Sequence, residues 1–221
     1  MSRKIVTRAP HREVGVINAG WLLNHPVEHE SHLERRFVIA ALACPVVKDI
    51  VHQPFTMPLT NGEKDERYTP DFKVTFIDGE SVIVEVKPEV FLKKHEEKLK
   101  RAEQQMRADG QRFLVITDSM IDGQALAARA LLLMRYGRLR FTNQEALECL
   151  RAMREACQGS ASVKALVAQG LSEPLIWNLV ARHECRVPAD FSVEPEQTVN
   201  LYPVEGDNHD YFKSWFGFAP R

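Results

Sequence analysis

Three residues in the stretch "YTPDFKVTFIDGESVIVEVKP", Tyr68 to Pro88, have the chemistry of a reactive site: Asp71, Glu85 and Lys87. They lie in or beside two apolar runs that read as β-strands over about 71–77 and 81–87, with Asp78-Gly79 at the turn. Side chains alternate faces along a strand, so Val82, Val84 and Val86 share one face while Ile83, Glu85 and Lys87 share the other. The hairpin register decides where Asp71 points. A two-residue turn pairs Ile77 with Glu80 and puts Asp71 on the valine face. A three-residue loop, Ile77-Asp78-Gly79 with Gly79 left-handed, pairs Phe76 with Glu80 and Asp71 with Glu85. The three-residue form is predicted, because only that register brings the two acids together.

Two converging carboxylates suit a hard divalent cation with oxygen ligands, most simply Mg²⁺, with Mn²⁺ as a substitute. The backbone carbonyl of Val86, between Glu85 and Lys87, is a natural third protein ligand. Lys87 is placed to orient or help deprotonate a water, or to neutralise charge building on a phosphate. Glu34, on a preceding helix, would reach a second metal or position the water. The reaction described is phosphodiester hydrolysis. The alternative for the same residues is a half-exposed hairpin with a cross-strand ion pair.

Other polar groups are weaker signals. Glu30 is four residues before Glu34 and shares its helical face. His25, His29 and His32 with Glu28 form a loose set that would suit zinc more than Mg²⁺, but no cysteine lies near them. Lys93, Lys94 and Lys98 crowd the segment after the Glu-x-Lys strand, together with Lys100 and Arg101. They are candidate DNA-phosphate contacts or a solvated face. Arg3, Lys4, Arg8 and Arg12 offer a second basic group.

The elements that must hold these residues are legible in outline. "ESHLERRFVIAALA" (30–43) has helical spacing and ends at Cys44-Pro45. "VKDIVHQPFTMPL" reads as a strand broken by prolines. After the two central strands, 90–108 is a charged amphipathic helix and "RFLVIT" (112–117) a buried strand. The order α-β-β-β-α-β predicts an α/β domain with a mixed sheet. From Ala125 the pattern is mainly helical. "SVKALVAQ" and "SEPLIWNLVARHE" form a helix pair split by Gly170-Leu171, with extended chain after them, the order of a winged helix or of a small helical interaction domain. The expected organisation is a basic arm (1–25), a nuclease-like domain (26–122), a helical, winged-helix-like domain (123–193) and an acidic, aromatic tail (194–221). The tail's Tyr211, Phe212, Trp215, Phe216 and Phe218 are expected to serve a protein interface, the alternative being that Trp215 and Phe216 pack back on the domain.

Composition excludes some classes. The chain of 221 residues is 44% hydrophobic and 27% charged, an ordinary globular balance. A net charge of −1 removes any global attraction to nucleic acid, so DNA binding must rest on local patches. Four cysteines without a CxxC pair suggest free thiols in a reducing cytosol. No apolar run reaches membrane-spanning length, and cytoplasmic localisation is expected.

With "ESHLERRF", "HQPF", "YTPDF" and "VEVKP" in this order, residues 30–118 resemble the PD-(D/E)xK nuclease superfamily, and the TnsA family of transposase endonuclease subunits in particular. The resemblance implies a restriction-endonuclease-like fold with Asp71, Glu85 and Lys87 as the nuclease core and Glu34 as the helix glutamate. Gln53 matches the family's "QP" glutamine. Some relatives carry Gln where this chain has Glu85. The resemblance also implies double-stranded DNA as substrate, cleavage at the 5′ ends of a mobile element, and two partners: a TnsB-like DDE transposase and a TnsC-like AAA+ regulator. A standalone nuclease and a non-catalytic nucleoprotein adaptor are the competing expectations.

Overall fold

The computed structural model describes residues 14–60, 65–201 and 206–218. Arg3, Lys4, Arg8 and Arg12 of the expected arm, and Glu205 of the expected tail, lie outside these residues.

The chain begins with a small antiparallel pair, β1 (Gly15–Ile17) and β2 (Val27–His29). Ile17 and Leu23 are buried in the main core, so the described part of 1–25 is not a free arm. Helix α1 (His32–Ala43) starts at Ser31, whose hydroxyl accepts from the Glu34 amide. Its second half, Phe37–Ala43, is buried on every side, the mark of a central helix rather than a surface one.

Strand β3 (Val47–His52) leads to a separate hairpin, β4 (Met57–Thr60) and β5 (Asp65–Tyr68). The sequence showed only a proline-broken strand here. Pro58 is tolerated because β4 pairs with β5 alone, and a strand with one neighbour has an edge that needs no donor. Strands β6 (Phe72–Phe76) and β7 (Ser81–Lys87) follow. Then come a 3₁₀ turn (Glu89–Phe91), helix α2 (Leu92–Ala108) and strand β8 (Arg112–Thr117). The main sheet has the order β3-β6-β7-β8, antiparallel except for the parallel β7/β8 pair, so it is mixed as expected.

The helical half contains α3 (Asp118–Asp122), α4 (Leu126–Gly137), α5 (Asn143–Cys157), β9 (Ser160–Ser162), α6 (Val163–Ala168), α7 (Glu173–Ala181), β10 (Thr198–Asn200) and α8 (Asn208–Trp215). Helix α5 opens with a reciprocal capping box between Thr142 and Glu145. β9 and β10 pair antiparallel. In α7, every residue from Leu175 to Ala181 is buried, leaving only Glu173 and Pro174 of its first turn exposed and no basic face for a DNA groove.

One hydrophobic core runs from Ile17 through α1, the valine face of β7, α4 and α7 to Phe216. A second, smaller core lies on the opposite face of the sheet, where Ile83 of β7 meets Leu59, Tyr68, Ala102 and Met106. The final helix corrects an expectation. Phe212, Trp215 and Phe216 are almost fully buried, Phe216 stacks on Phe37, and Trp215 Nε1 donates to the carbonyl of Ala40. These aromatic rings complete the core around α1 and are not an exposed interface.

Candidate active site

The β6–β7 register matches the three-residue loop. Phe72 pairs with Val84 and Thr75 with Ser81, the Phe76 amide donates to the Glu80 carbonyl, and Gly79 has φ +90°. Continuing this register places Asp71 opposite Glu85. Both side chains then rise from the face covered by α2 and the β4–β5 hairpin.

A proline fixes the next step. Hydrogen-bonded pairs alternate along an antiparallel ladder, and Phe76/Glu80 is one of them, so Pro70/Val86 falls in the same class. Pro70 has no N–H to give the Val86 carbonyl. The Val86 amide donates instead to Asp71 Oδ2 at 2.8 Å. The ladder therefore ends where a carboxylate has replaced a backbone acceptor and a backbone carbonyl has lost its donor. Asp71 is clamped from a second side as well: the Gln53 amide donates to its carbonyl at 2.8 Å, with Gln53 at φ +44° before Pro54. That contact assigns the "QP" glutamine a backbone role beside Asp71.

Glu85 is buried, and each of its oxygens has a partner. Lys87 Nζ lies 2.7 Å from Oε1, and the Tyr68 hydroxyl donates to Oε2 at 2.7 Å. Lys87 Nζ is also 3.8 Å from Asp71 Oδ2, so the lysine bridges the two acids. Burial and the Glu85 charge push the Asp71 carboxyl well above the usual range, against the pull of Lys87 and the Val86 amide. Burial opposes the charge on Lys87, but Asp71, Glu85 and Glu34 outweigh it and raise its pKa. Such a lysine is a cation and donor at neutral pH, not a base. The Tyr68 phenol is pushed up by burial and by Glu85, so it remains a donor.

Glu34 is held in its own network. Its Oε1 accepts from the Ser31 hydroxyl at 2.9 Å and its Oε2 from the Glu30 amide at 2.6 Å, with His52 Nε2 3.6 Å away. Burial pushes the Glu34 carboxyl up, and the nearby His52 ring, the Glu30 amide and the Ser31 hydroxyl together hold it below its ordinary value. The Glu34 charge still acts on Asp71 and Lys87. In its present contacts it caps α1 as much as it faces the site.

A cavity of about 220 Å³ opens over the acids, lined by Arg67, Tyr68, Thr69, Asp71, Glu85, Lys87, His95, Lys98 and Leu99. Sequence reasoning missed Tyr68, His52, Arg67 and His95. Tyr68 belongs to the quoted "YTPDF", and its place in that motif was the available signal. Of the lysines on α2, Lys93 and Lys94 are exposed, whereas Lys98 is half-buried at the edge of this cavity. It bonds Glu66 at 2.6 Å and ties α2 to the hairpin. His25 is engaged with Asp49, and among the described residues no three His, Cys, Asp or Glu side chains group as a ready-made metal cage. The donor set at the end of β7 is of another kind: two carboxylates and a carbonyl freed by Pro70. That fits a Mg²⁺-type ion, which keeps several waters and takes one or two carboxylates plus substrate phosphate.

A mixed sheet flanked by helices, with two acids and a lysine gathered at the end of a central strand, is consistent with a nuclease-like α/β fold. Residues 44–118, from the end of α1 through β8, match the family model of the TnsA-like endonuclease N terminal domain. The family resemblance seen in the sequence therefore stands over this segment, which holds Asp71, Glu85 and Lys87 but not Glu34. No curated protein matches the chain. Among the described residues, no helix is long and apolar enough to cross a membrane.

Proposed function

We propose that this protein is a divalent-metal-dependent DNA endonuclease, the subunit of a heteromeric cut-and-paste transposase that hydrolyses phosphodiesters at the 5′ ends of the mobile element. The observation that carries this reading is the meeting of Asp71, Glu85 and Lys87 beside the Val86 carbonyl, inside the segment that matches the family.

Asp71, Glu85 and the Val86 carbonyl would hold Mg²⁺ or Mn²⁺, and Glu34 would serve a second ion or the attacking water. When bound, the ion supplies positive charge at the phosphate and a more acidic water. Tyr68 and the Val86 amide keep the two carboxylates oriented. Lys87 gives a hydrogen bond and a positive charge to the phosphate as it becomes more negative. Lys93 and Lys94 hold neighbouring phosphates of double-stranded DNA. The helical half, winged-helix-like in element order, meets the partners, a TnsB-like DDE transposase and a TnsC-like AAA+ regulator. The burial of α7 argues against groove reading by that helix.

The test is calorimetric titration with Mn²⁺ or Mg²⁺ in the presence of duplex DNA, followed by cleavage assays with the products of neighbouring genes. Wild type is expected to bind metal and to cut only with metal, and Asp71→Ala and Glu85→Ala to lose both. Equal metal binding by wild type and variants, with no metal-dependent cutting, would replace this reading with a non-catalytic adaptor.

A further inference from the structure

The turn that follows the site strand carries two large apolar side chains that the fold leaves half or more exposed. Val90 is 79% exposed and Phe91 51% exposed. Single exposed apolar residues are ordinary. These two are adjacent, and their turn is braced. The Phe91 amide donates to the Pro88 carbonyl at 2.9 Å, and the Glu89 amide donates to Asp118 Oδ1 at 2.8 Å, fixing the turn to α3. A braced turn that presents apolar groups to solvent has the form of a wedge.

Its place follows from the chain. Phe91 is four residues after Lys87, and four Cα steps span at most about 15 Å. Duplex DNA rises about 3.4 Å per base pair, so that bound corresponds to roughly four pairs. If Lys87 faces the scissile phosphate, the wedge lies within about four base pairs of the cut.

The neighbouring charges select the occupant. Lys93 and Lys94 follow directly, both exposed, and the first turn of α2 has no acid, although exposed Glu89 precedes the apolar pair and Glu96 and Glu97 lie a turn further on. Two lysines at that end oppose the helix dipole, so the fold gains nothing from them there. Lysine is also depleted from the centres of protein interfaces, whereas apolar wedges flanked by phosphate-binding cations are how proteins unstack and kink DNA. Resting on the endonuclease reading, we propose that Val90 and Phe91 insert into the base stack near the scissile phosphate, with Lys93 and Lys94 holding the flanking backbone.

The test uses the full chain, Ca²⁺ to permit binding without cleavage, and duplexes with 2-aminopurine placed at successive steps. Wild type should raise the fluorescence at one step. Phe91→Ala should abolish that rise and weaken binding by about tenfold, with an unchanged melting temperature. Lys93→Glu with Lys94→Glu should weaken binding and flatten its salt dependence, yet keep the rise at saturating protein. A rise that survives Phe91→Ala, or no rise at any step in wild type, overturns the proposal. So does a Phe91→Ala variant that binds DNA normally but loses a protein partner. The two readings fail separately. A Phe91-dependent rise in a protein that never cuts with Mg²⁺ sinks the nuclease and leaves the wedge. Equal Mg²⁺-dependent cutting by wild type and Phe91→Ala sinks the wedge and leaves the nuclease.

Discussion

Tyr68 reaches from the β4–β5 hairpin to donate to Glu85 Oε2 at 2.7 Å, although the hairpin and the strand that carries Glu85 belong to different sheets. The hairpin is therefore part of the site and not an ornament on it. Tyr68→Phe leaves a buried carboxylate oxygen without its donor. The expected cost is about 1–3 kcal/mol of stability. Glu85 would also be less well oriented, and metal-dependent cleavage should fall by about tenfold or more. Denaturant unfolding and cleavage rates check the two effects.

Asp71→Asn should do the opposite to stability while abolishing metal binding. The raised Asp71 pKa means that the folded state disfavours the charged carboxylate, chiefly through burial and the Glu85 charge. An amide removes that charge and can still accept from the Val86 amide. At pH 8 the variant should be more stable by about 1 kcal/mol or more, a melting rise of roughly 2–4 °C. The gap should close as pH falls and wild-type Asp71 takes up its proton. Melting curves at several pH values test this, and a lower melting temperature for the variant at pH 8 would contradict it.

His183 makes the fold acid-sensitive. It sits at φ +62° just past α7, and its Nε2 meets the Leu42 carbonyl at the end of α1, 3.0 Å away. Burial pushes its pKa down to about 4. The neutral ring contributes stability that is fully present above the unfolded pKa of about 6.5 and is lost as pH falls toward 4, because only the unfolded chain takes the proton there. The loss over that interval is about 3 kcal/mol. Asp71 titrates in the stabilising direction over an overlapping range, so the check is a difference: wild type against His183→Asn, which should lack this component.

Trp215→Ala should destabilise the whole protein by about 3–5 kcal/mol, since it empties a core position and removes the bond to Ala40. A near-wild-type melting temperature together with lost partner binding would restore the interface role expected from the sequence.

Lysines that look alike on α2 should behave differently. Charge reversal at Lys93 and Lys94 should reduce the salt slope of DNA binding by about two contacts. Lys98→Ala should leave that slope unchanged and loosen the hairpin, because its partner is Glu66. Affinity measured against salt concentration separates them.

The central hairpin was legible because one register alone gathers the acids, and Gly79 supplies the backbone conformation that this register needs. Helix α1 was legible from its helical spacing and from Cys44-Pro45, which marks its end. The β4–β5 hairpin was hidden by Pro54 and Pro58, since a sequence does not say which strands will have only one neighbour. Lys98 could not be told from Lys93 and Lys94, because pairing with Glu66 is a fact of packing. The aromatic rings of α8 did carry a signal: Tyr211, Phe212, Trp215 and Phe216 recur with the spacing of one helical face. That spacing favours a helix packed on a core over a loose tail. Gln53 and Tyr68 stood inside recognisable motifs, but their roles depend on residues distant in the chain.

The bond from Trp215 to Ala40 spans 175 residues of chain. A ribosome adding roughly 5–20 residues per second needs on the order of 9 to 35 s to cover that interval. Throughout that time α1, the helix that presents Glu34, lacks the aromatic lid that seals its far side. Its buried face must be shielded by other means, or left exposed, while Asp71, Glu85 and Lys87 have already left the exit tunnel. A nascent chain interrupted before α8 would thus carry Asp71, Glu85 and Lys87 and still lack the rings that close the core around α1.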